Sequence, residues 1–149
     1  MFPMLRRIAL LVVAGAALAA GPGDVRAGGY TRQYYTSWSY YSTTRYYYRT
    51  YYYYPTPVAT TYSYHYTIYY PSQPRYVYYY NPVSRQYWGR FDFGADGEPQ
   101  GYSLLAEKDR KERLADIPES AFPKPAAMPA IPGSSDGEKK DAPPADVPL

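Results

Sequence analysis

The sequence predicts a mostly disordered, low-complexity chain and not an ordinary globular domain. Tyrosine supplies 23 and proline 16 of the 149 residues. From Gly28 onward only 14 residues are Leu, Ile, Val or Phe, about one tenth, against the roughly 20% below which a chain struggles to bury a core. Burial must offset about 1–2 kcal/mol of backbone entropy for each ordered residue. We therefore expect only a few short regular elements.

The first element is an export signal over residues 1–27. Arg6 and Arg7 form a basic start, and residues 8–20 carry no charge. That length is typical of a signal-peptide core and is too short to span a bilayer core of about 30 Å. Small residues favour cleavage after Ala27, with Ala19 as the second choice. An uncleaved anchor and a twin-arginine route are alternatives. We expect export to the periplasm, cell envelope or extracellular space.

Residues 28–88 form a tyrosine-rich, low-complexity segment. Residues 30–88 hold 22 of the tyrosines and five arginines, with no lysine or carboxylate. Arginines followed closely by aromatic residues recur at irregular spacing, which indicates biased composition and not a solenoid repeat. Alternation over residues 62–68 predicts a strand. Five prolines interrupt any longer ladder because proline lacks the donor N–H, so we expect short strands without a closed sheet.

A β-hairpin is predicted at about residues 76–91. Asn81 and Pro82 favour a turn, and aromatic residues flank the turn on both sides. The stretch Tyr-Tyr-Tyr-Asn-Pro-Val-Ser-Arg-Gln-Tyr-Trp at 78–88 resembles a hairpin unit of OCRE-type and WW-type modules. This resemblance implies a hairpin and no binding specificity.

Residues 89–118 are predicted to contain the end of the hairpin and one short charged helix at about residues 103–116. Ser103 is the candidate N-cap, and Pro118 ends the helix because proline cannot continue it. Favourable i,i+4 pairs, such as Glu107 with Lys111, support the helix.

The last segment, residues 119–149, is rich in proline and alanine and is predicted to be disordered. Residues 89–149 carry eight basic and twelve acidic side chains. This acidic half is opposite in charge to the basic tyrosine-rich segment. Such asymmetry favours a modest attraction between chains.

Few residues suggest catalysis or metal binding. His65, the only histidine, has no carboxylate within residues 30–88 that could complete a Ser-His-Asp triad. Asp92, Asp96 and Glu98 do not follow the spacing of a calcium loop. Tyrosine phenolates can bind ferric iron, but the phenol pKa of about 10 and the lack of positioned partner ligands argue against such a site. The absence of cysteine excludes disulfides and thiolate sites. We predict no enzymatic activity, no cofactor and no metal.

Arginine–tyrosine contacts give the functional hypothesis. A guanidinium stacks on a tyrosine ring for about 0.5–1 kcal/mol at an exposed site, and many weak contacts favour multivalent association. We expect a non-enzymatic structural or adhesive protein of the cell envelope or matrix, whose partners are itself or other envelope or matrix components. The candidate self-association residues are Tyr46, Tyr47, Tyr48, Tyr51, Tyr52, Tyr53, Tyr54, Tyr78, Tyr79 and Tyr80, with Arg45, Arg49 and Arg75 as stacking partners.

Three alternatives are a passive low-complexity spacer, weak carbohydrate binding and weak nucleic-acid binding. Tyrosine rings stack on sugars, but such sites usually lie on a rigid sheet, which the composition does not predict. Five positive charges on residues 30–88 are a weak footprint for nucleic acid. No specific small molecule is predicted, and membrane contact is expected only through the signal peptide before cleavage.

The overall plan resembles tyrosine-rich exported proteins of bacteria. The similarity lies in the order of the segments and in two stretches, Tyr-Trp-Gly-Arg-Phe-Asp at 87–92 and Ala-Asp-Ile-Pro-Glu-Ser-Ala-Phe-Pro at 115–123. No function is established for those proteins. The resemblance therefore implies export and no particular chemistry.

Overall fold

The structure, a computed structural model, describes residues 25–26 and 30–148. Nine β-strands account for most of the regular structure. Strands β1 (Val25–Arg26) and β2 (Tyr30–Thr31) form a separate two-stranded ribbon. The other seven form one curled antiparallel sheet, a half-barrel: β3 (Gln33–Tyr35), β4 (Ser39–Tyr41), β5 (Tyr46–Tyr53), β6 (Ser63–Tyr69), β7 (Tyr76–Asn81), β8 (Gln86–Asp92) and β9 (Gly101–Leu104).

From β4 to β9 the sheet is a meander in which each strand pairs with the next strand in the sequence. At one edge both β3 and β4 pair with β5, β3 along residues 51–53 and β4 along residues 46–48. The order then continues β5, β6, β7, β8 and β9. A β-bulge between Tyr79 and Tyr80 shifts the register of β7 against β8, and bulges of this kind increase strand bending and twist.

Tyrosine builds much of the interior, so the prediction of a mostly disordered chain is wrong. Seven of the thirteen buried core hydrophobic residues are tyrosines. An aromatic side chain buries about 150–250 Å², so rings replace the missing aliphatic area. Tyrosine hydroxyl groups in the interior also form hydrogen bonds. Those of Tyr35 and Tyr79 are 2.7 Å apart, and the Tyr78 hydroxyl donates to Gln73 Oε1 at 2.7 Å.

The C-terminal segment covers one face of the sheet, and the prediction of a disordered tail at residues 119–149 is wrong for residues 119–148. Tyr102 of β9 and Ala126 exchange backbone hydrogen bonds of 2.8 and 2.9 Å. Ile131 inserts into the core at 1% exposure. We call the sheet face that contacts residues 124–148 the tail face and the opposite one the groove face.

The helix predicted at residues 103–116 does not form. Gly101–Leu104 is strand β9, and two single 3₁₀ turns, Glu107–Asp109 and Leu114–Asp116, follow it. The Ser103 hydroxyl donates to the Pro123 carbonyl oxygen at 2.6 Å and caps no helix. The described residues contain no α-helix.

Tertiary contacts explain this departure from helix. The Leu105 N–H donates to the Trp88 carbonyl oxygen at 3.0 Å, and Lys111 accepts from the Tyr87 N–H at 2.8 Å, so the segment continues beside β8. Leu105 and Ile117 are buried in a core cluster on the groove face. A helix of this length is marginal in isolation, and burial of these two side chains outweighs its local pairing.

Two local predictions are confirmed. The strand predicted at 62–68 is β6, and the hairpin predicted at 76–91 is formed by β7 and β8. The Asn81 side-chain oxygen accepts from the N–H groups of Val83 and Ser84 at 2.9 and 3.3 Å, which is the expected turn. Strand β8 also crosses the boundary that composition places after Trp88. The cleavage site at Ala27 and residues 1–24 lie outside the described residues.

Candidate binding surface

Runs of tyrosine populate both faces of the sheet because side chains alternate along a strand. In β5, Tyr51 and Tyr53 lie on the tail face and are buried, at 0% and 5% exposure. Their neighbour Tyr52 faces the other way and is partly exposed. The same run of tyrosines thus contributes alternate side chains to the core and to the surface.

The exposed half forms a continuous row of rings across β5 and β6. Neighbouring ring centroids are 6.4 Å apart from Tyr46 to Tyr48 and 5.8 Å from Tyr48 to Tyr66. The next steps, to Tyr64 and then Tyr52, are also 5.8 Å. We call this row, with the flanking rings in contact with it, the tyrosine tract. Its members, all partly or fully exposed, are Tyr34, Tyr41, Tyr46, Tyr48, Tyr52, Tyr54, Tyr62, Tyr64 and Tyr66.

A groove of about 450 Å³ lies at one end of the tract. Five adjacent strands, β4 to β8, contribute its walls. Its size is within the range of small-molecule sites, about 300–1,000 Å³. The lining residues are Ile68 and the tyrosines Tyr40, Tyr41, Tyr46, Tyr48, Tyr66, Tyr80 and Tyr87.

Several phenols that line the groove have a raised pKa. Burial raises the pKa of Tyr46 above its usual 10.0. Burial also raises the pKa of Tyr66, and neighbouring tyrosines raise it further. For Tyr80, burial is again the largest cause, with Glu112 adding to it. These phenols therefore stay protonated and can donate as well as accept hydrogen bonds.

Most charged side chains of the tyrosine-rich segment form ion pairs. Four of its five arginines form ion pairs with carboxylates from the acidic half of the same chain, whereas Arg45 is exposed in the turn between β4 and β5. The opposite charges that were expected to attract separate chains therefore pair mostly within a single chain. The pairs are Arg32–Asp136 at 2.7 Å, Arg49–Asp146 at 3.1 Å, Arg75–Asp92 at 2.7 Å and Arg85–Glu112 at 2.5 Å.

Two of these ion pairs lower the pKa of their carboxylates. The hydrogen bonds from Arg32 lower the pKa of Asp136. Burial alone would raise the pKa of Asp92, but the Arg75 contact and the Gly94 N–H outweigh it and hold that pKa below its usual value. These carboxylates therefore remain charged well into the acidic range.

The predicted self-association tyrosines divide into two groups. Tyr46, Tyr48, Tyr52 and Tyr54 belong to the tyrosine tract, and Tyr80 lines the groove. The others are less accessible: Tyr47 is partly buried on the tail face, and Tyr51, Tyr53, Tyr78 and Tyr79 are buried.

The predicted arginine partners serve other contacts. Arg49 is 4% exposed and lies 4.2 Å above the Trp38 ring. Arg75 contacts the Tyr76 ring at 5.6 Å in addition to its ion pair with Asp92. Arg45 has a left-handed backbone with φ of 57°. The structure therefore does not bring these three arginines into the tract.

The tail face contains a buried lysine that the sequence does not reveal. Lys140 Nζ is 3.4 Å from the Tyr79 ring centroid, 4.7 Å from that of Tyr102 and 5.1 Å from that of Tyr51. Burial lowers its pKa well below 10.5. Its partners come from three different strands, so no local pattern predicts the site.

No family model, curated protein or solved structure matches the chain. Within the described residues, no three His, Asp or Glu side chains gather where they could hold a metal ion. No helix in that part of the chain has the length and apolar character needed to cross a membrane.

Proposed function

We propose that the protein is a non-enzymatic structural or adhesive protein of the cell envelope or matrix, and that the tyrosine tract is its contact surface. One observation carries the proposal: partly exposed tyrosine rings form a continuous row on the paired strands β5 and β6. Contiguous apolar patches of this kind mark interaction sites. Export to that location is proposed from the sequence of residues 1–27.

A fixed row of rings suits weak, repeated contacts. Each aromatic contact adds about 0.5–1.5 kcal/mol beyond its buried area, and several acting together give avidity. Neighbouring rings already restrain one another, so less side-chain entropy is lost on contact. Multivalency in this form needs an ordered sheet and not the disordered chain that the composition predicts. The proposed partners are envelope or matrix components, including further copies of the protein.

Replacement of three tract tyrosines tests the proposal. In cells that express the full chain, the triple variant Tyr52→Ser, Tyr64→Ser and Tyr66→Ser should move protein from the envelope fraction to the soluble fraction. Three lost ring contacts predict a fall of about tenfold or more in the bound-to-free ratio. Near-ultraviolet circular dichroism and thermal unfolding of the purified variant would establish that it still folds.

The matched control removes exposed apolar groups outside the tract. Val58 and Val83 are 76% and 83% exposed, and the variant Val58→Ser, Val83→Ser should partition like the wild type. The proposal fails if the folded triple-tyrosine variant also partitions like the wild type and the wild-type chain stays monomeric in sedimentation at high concentration.

A further inference from the structure

We propose that the groove at the end of the tyrosine tract binds a single strand of neutral polysaccharide built from pyranose units. The inference rests on the proposed function, because it names the class of envelope or matrix component that the tract contacts. It comes from three properties of the groove: ring geometry, free phenol hydroxyls and the absence of charged lining residues.

Ring geometry favours one flexible strand over a flat crystalline surface. The rings of Tyr48 and Tyr66 are inclined at 80° to each other, those of Tyr41 and Tyr46 at 75°, and those of Tyr80 and Tyr87 at 68°. A ring face is the negative side of the aromatic quadrupole, and the C–H groups on one side of a pyranose ring match it. Faces turned in different directions can contact successive sugar units, whereas a crystal face would meet mainly ring edges.

Free hydroxyls favour a polar partner over a lipid or an apolar peptide. Within the described part of the chain, the phenol groups of Tyr48 and Tyr66 have no hydrogen-bond partner, and both side chains are partly exposed. A wholly apolar occupant would remove these hydroxyls from water without replacing their hydrogen bonds, which is unfavourable. Sugar hydroxyls both donate and accept, as phenol hydroxyls do, so a polysaccharide satisfies them.

Charge favours a neutral sugar over an acidic one. All eight lining residues are uncharged side chains. Arg85 lies beside Tyr80, but its Nε and Nη2 atoms already donate to Glu112 Oε2 at 2.9 and 2.5 Å. A uronic acid or a phosphorylated sugar would thus find no cation among the lining residues. Arg45, which precedes Tyr46 in the chain, is exposed in the turn between β4 and β5 and does not line the groove.

The test uses isothermal titration calorimetry of the full purified chain with cellohexaose, chitohexaose and maltohexaose as separate probes. We expect one of the three to bind at one site, with an affinity that is unchanged between about 0.05 and 0.5 M NaCl because no ion pair forms. Microcrystalline cellulose or chitin should retain none of the protein.

Substitutions of groove residues test whether the oligosaccharide binds there. Tyr48→Ala and Tyr66→Ala should each weaken the affinity by about tenfold, the equivalent of about 1.4 kcal/mol. Tyr48→Phe keeps the ring face and loses the hydroxyl, so its affinity should lie between those of the wild type and Tyr48→Ala. It also guards against an alanine variant that fails to fold. Val83→Ser, in the exposed turn after β7, should bind like the wild type.

The inference fails if a folded wild-type chain binds none of the three oligosaccharides, or if folded Tyr48 and Tyr66 variants bind like the wild type. Self-association that these same variants abolish would identify a second copy as the occupant instead. If envelope retention depends on Tyr52, Tyr64 and Tyr66 while no oligosaccharide binds, the proposed function stands and this inference alone is wrong.

Discussion

His65 lies on the tail face between two aromatic rings, with centroid distances of 5.5 Å to Tyr53 and 5.2 Å to Trp88. It is 0% exposed, and neither ring nitrogen has a hydrogen-bond partner among the described residues. Burial lowers its pKa well below 6.5, and the charges of Lys140 and Arg110 lower it further. The folded chain therefore holds this imidazole in its neutral form.

Stability should consequently fall as the solution becomes acidic. Below about pH 6.5 the unfolded chain binds a proton at His65 that the folded chain does not. The free energy of unfolding therefore decreases as the pH falls, until the pH reaches the pKa of His65 in the folded chain. The slope is about 1.4 kcal/mol per pH unit at most. His65→Leu should remove this slope, so that the variant gains stability relative to the wild type between about pH 7 and pH 5.

Urea unfolding of both chains at about pH 7.5 and pH 5 measures the difference. Carboxylates such as Asp92 and Asp136 titrate at lower pH because their pKa values are lowered. Lys140 is present in both proteins and largely cancels in the comparison. An equal loss of stability in the wild type and the variant would show that His65 does not stay neutral in the folded chain.

At the scale of elements, the join between β9 and the tail depends on a glycine. Gly101 has φ of 120°, and a Cβ at this position would lie 2.2 Å from the Ala126 carbonyl oxygen. Both features exclude an ordinary side chain, because the backbone conformation is strained and the space is filled. The adjacent residue, Tyr102, makes the backbone pairing with Ala126.

Gly101→Ala should therefore cost about 2–4 kcal/mol of unfolding free energy, from strain and overpacking together. Gly97→Ala is the matched control: φ there is 79°, and no atom lies within 4 Å of the added Cβ. It should cost only about 1–2 kcal/mol, from backbone strain alone. Denaturant unfolding compares the two variants, and equal losses would mean that the contact with Ala126 contributes nothing.

Strands were more predictable than the helix for a physical reason. The alternation in residues 62–68 and the Asn81 turn are local signals, and both elements are present as β6 and the β7–β8 hairpin. The sequence pattern around Leu105 favours a helix, but burial of Leu105 and Ile117 against the groove face determines the observed conformation. This packing joins distant parts of the chain, so no local sequence pattern reveals it.

The candidate site was predictable in composition but not in geometry. Tyrosine clusters are evident in the sequence, yet Tyr78 and Tyr79 are buried while Tyr64 and Tyr66, outside the densest runs, lie on the tract. In a run of identical residues, only the strand register determines which rings point to the core. Composition alone cannot provide that register.

At the scale of the whole molecule, the opposite charges of the two halves hold the chain to itself. Arg32 is 0% exposed and donates to both carboxylate oxygens of Asp136, at 2.7 and 3.0 Å, and to the carbonyl oxygens of Tyr54 and Pro55, each at 2.9 Å. Loss of Asp136 would leave the buried Arg32 guanidinium without its carboxylate partner, which is unfavourable. The tail is thus part of the fold.

The tail also covers apolar surface that the sheet cannot protect. Tyr51, Tyr79 and Tyr102 are each at most 2% exposed, and they surround Lys140 from the tail. Ile131 completes the same core cluster. Without residues 124–149 these rings would face water, and Arg32 and Arg49 would lose their carboxylate partners. A sheet of this size without its cover would be left with one solvent-exposed aromatic face.

Deletion of residues 124–149 should therefore abolish cooperative unfolding. The full chain should lose its near-ultraviolet tyrosine signal in one sharp thermal transition, as small ordered domains do, whereas the truncated chain should change gradually. A synthetic peptide of residues 124–148 added in excess should restore the transition, because it binds the folded sheet and shifts the equilibrium. A peptide of scrambled order, with the same composition and charge, should not. A truncated chain that unfolds at the same temperature and with the same sharpness as the full chain would show that the sheet is stable without its tail.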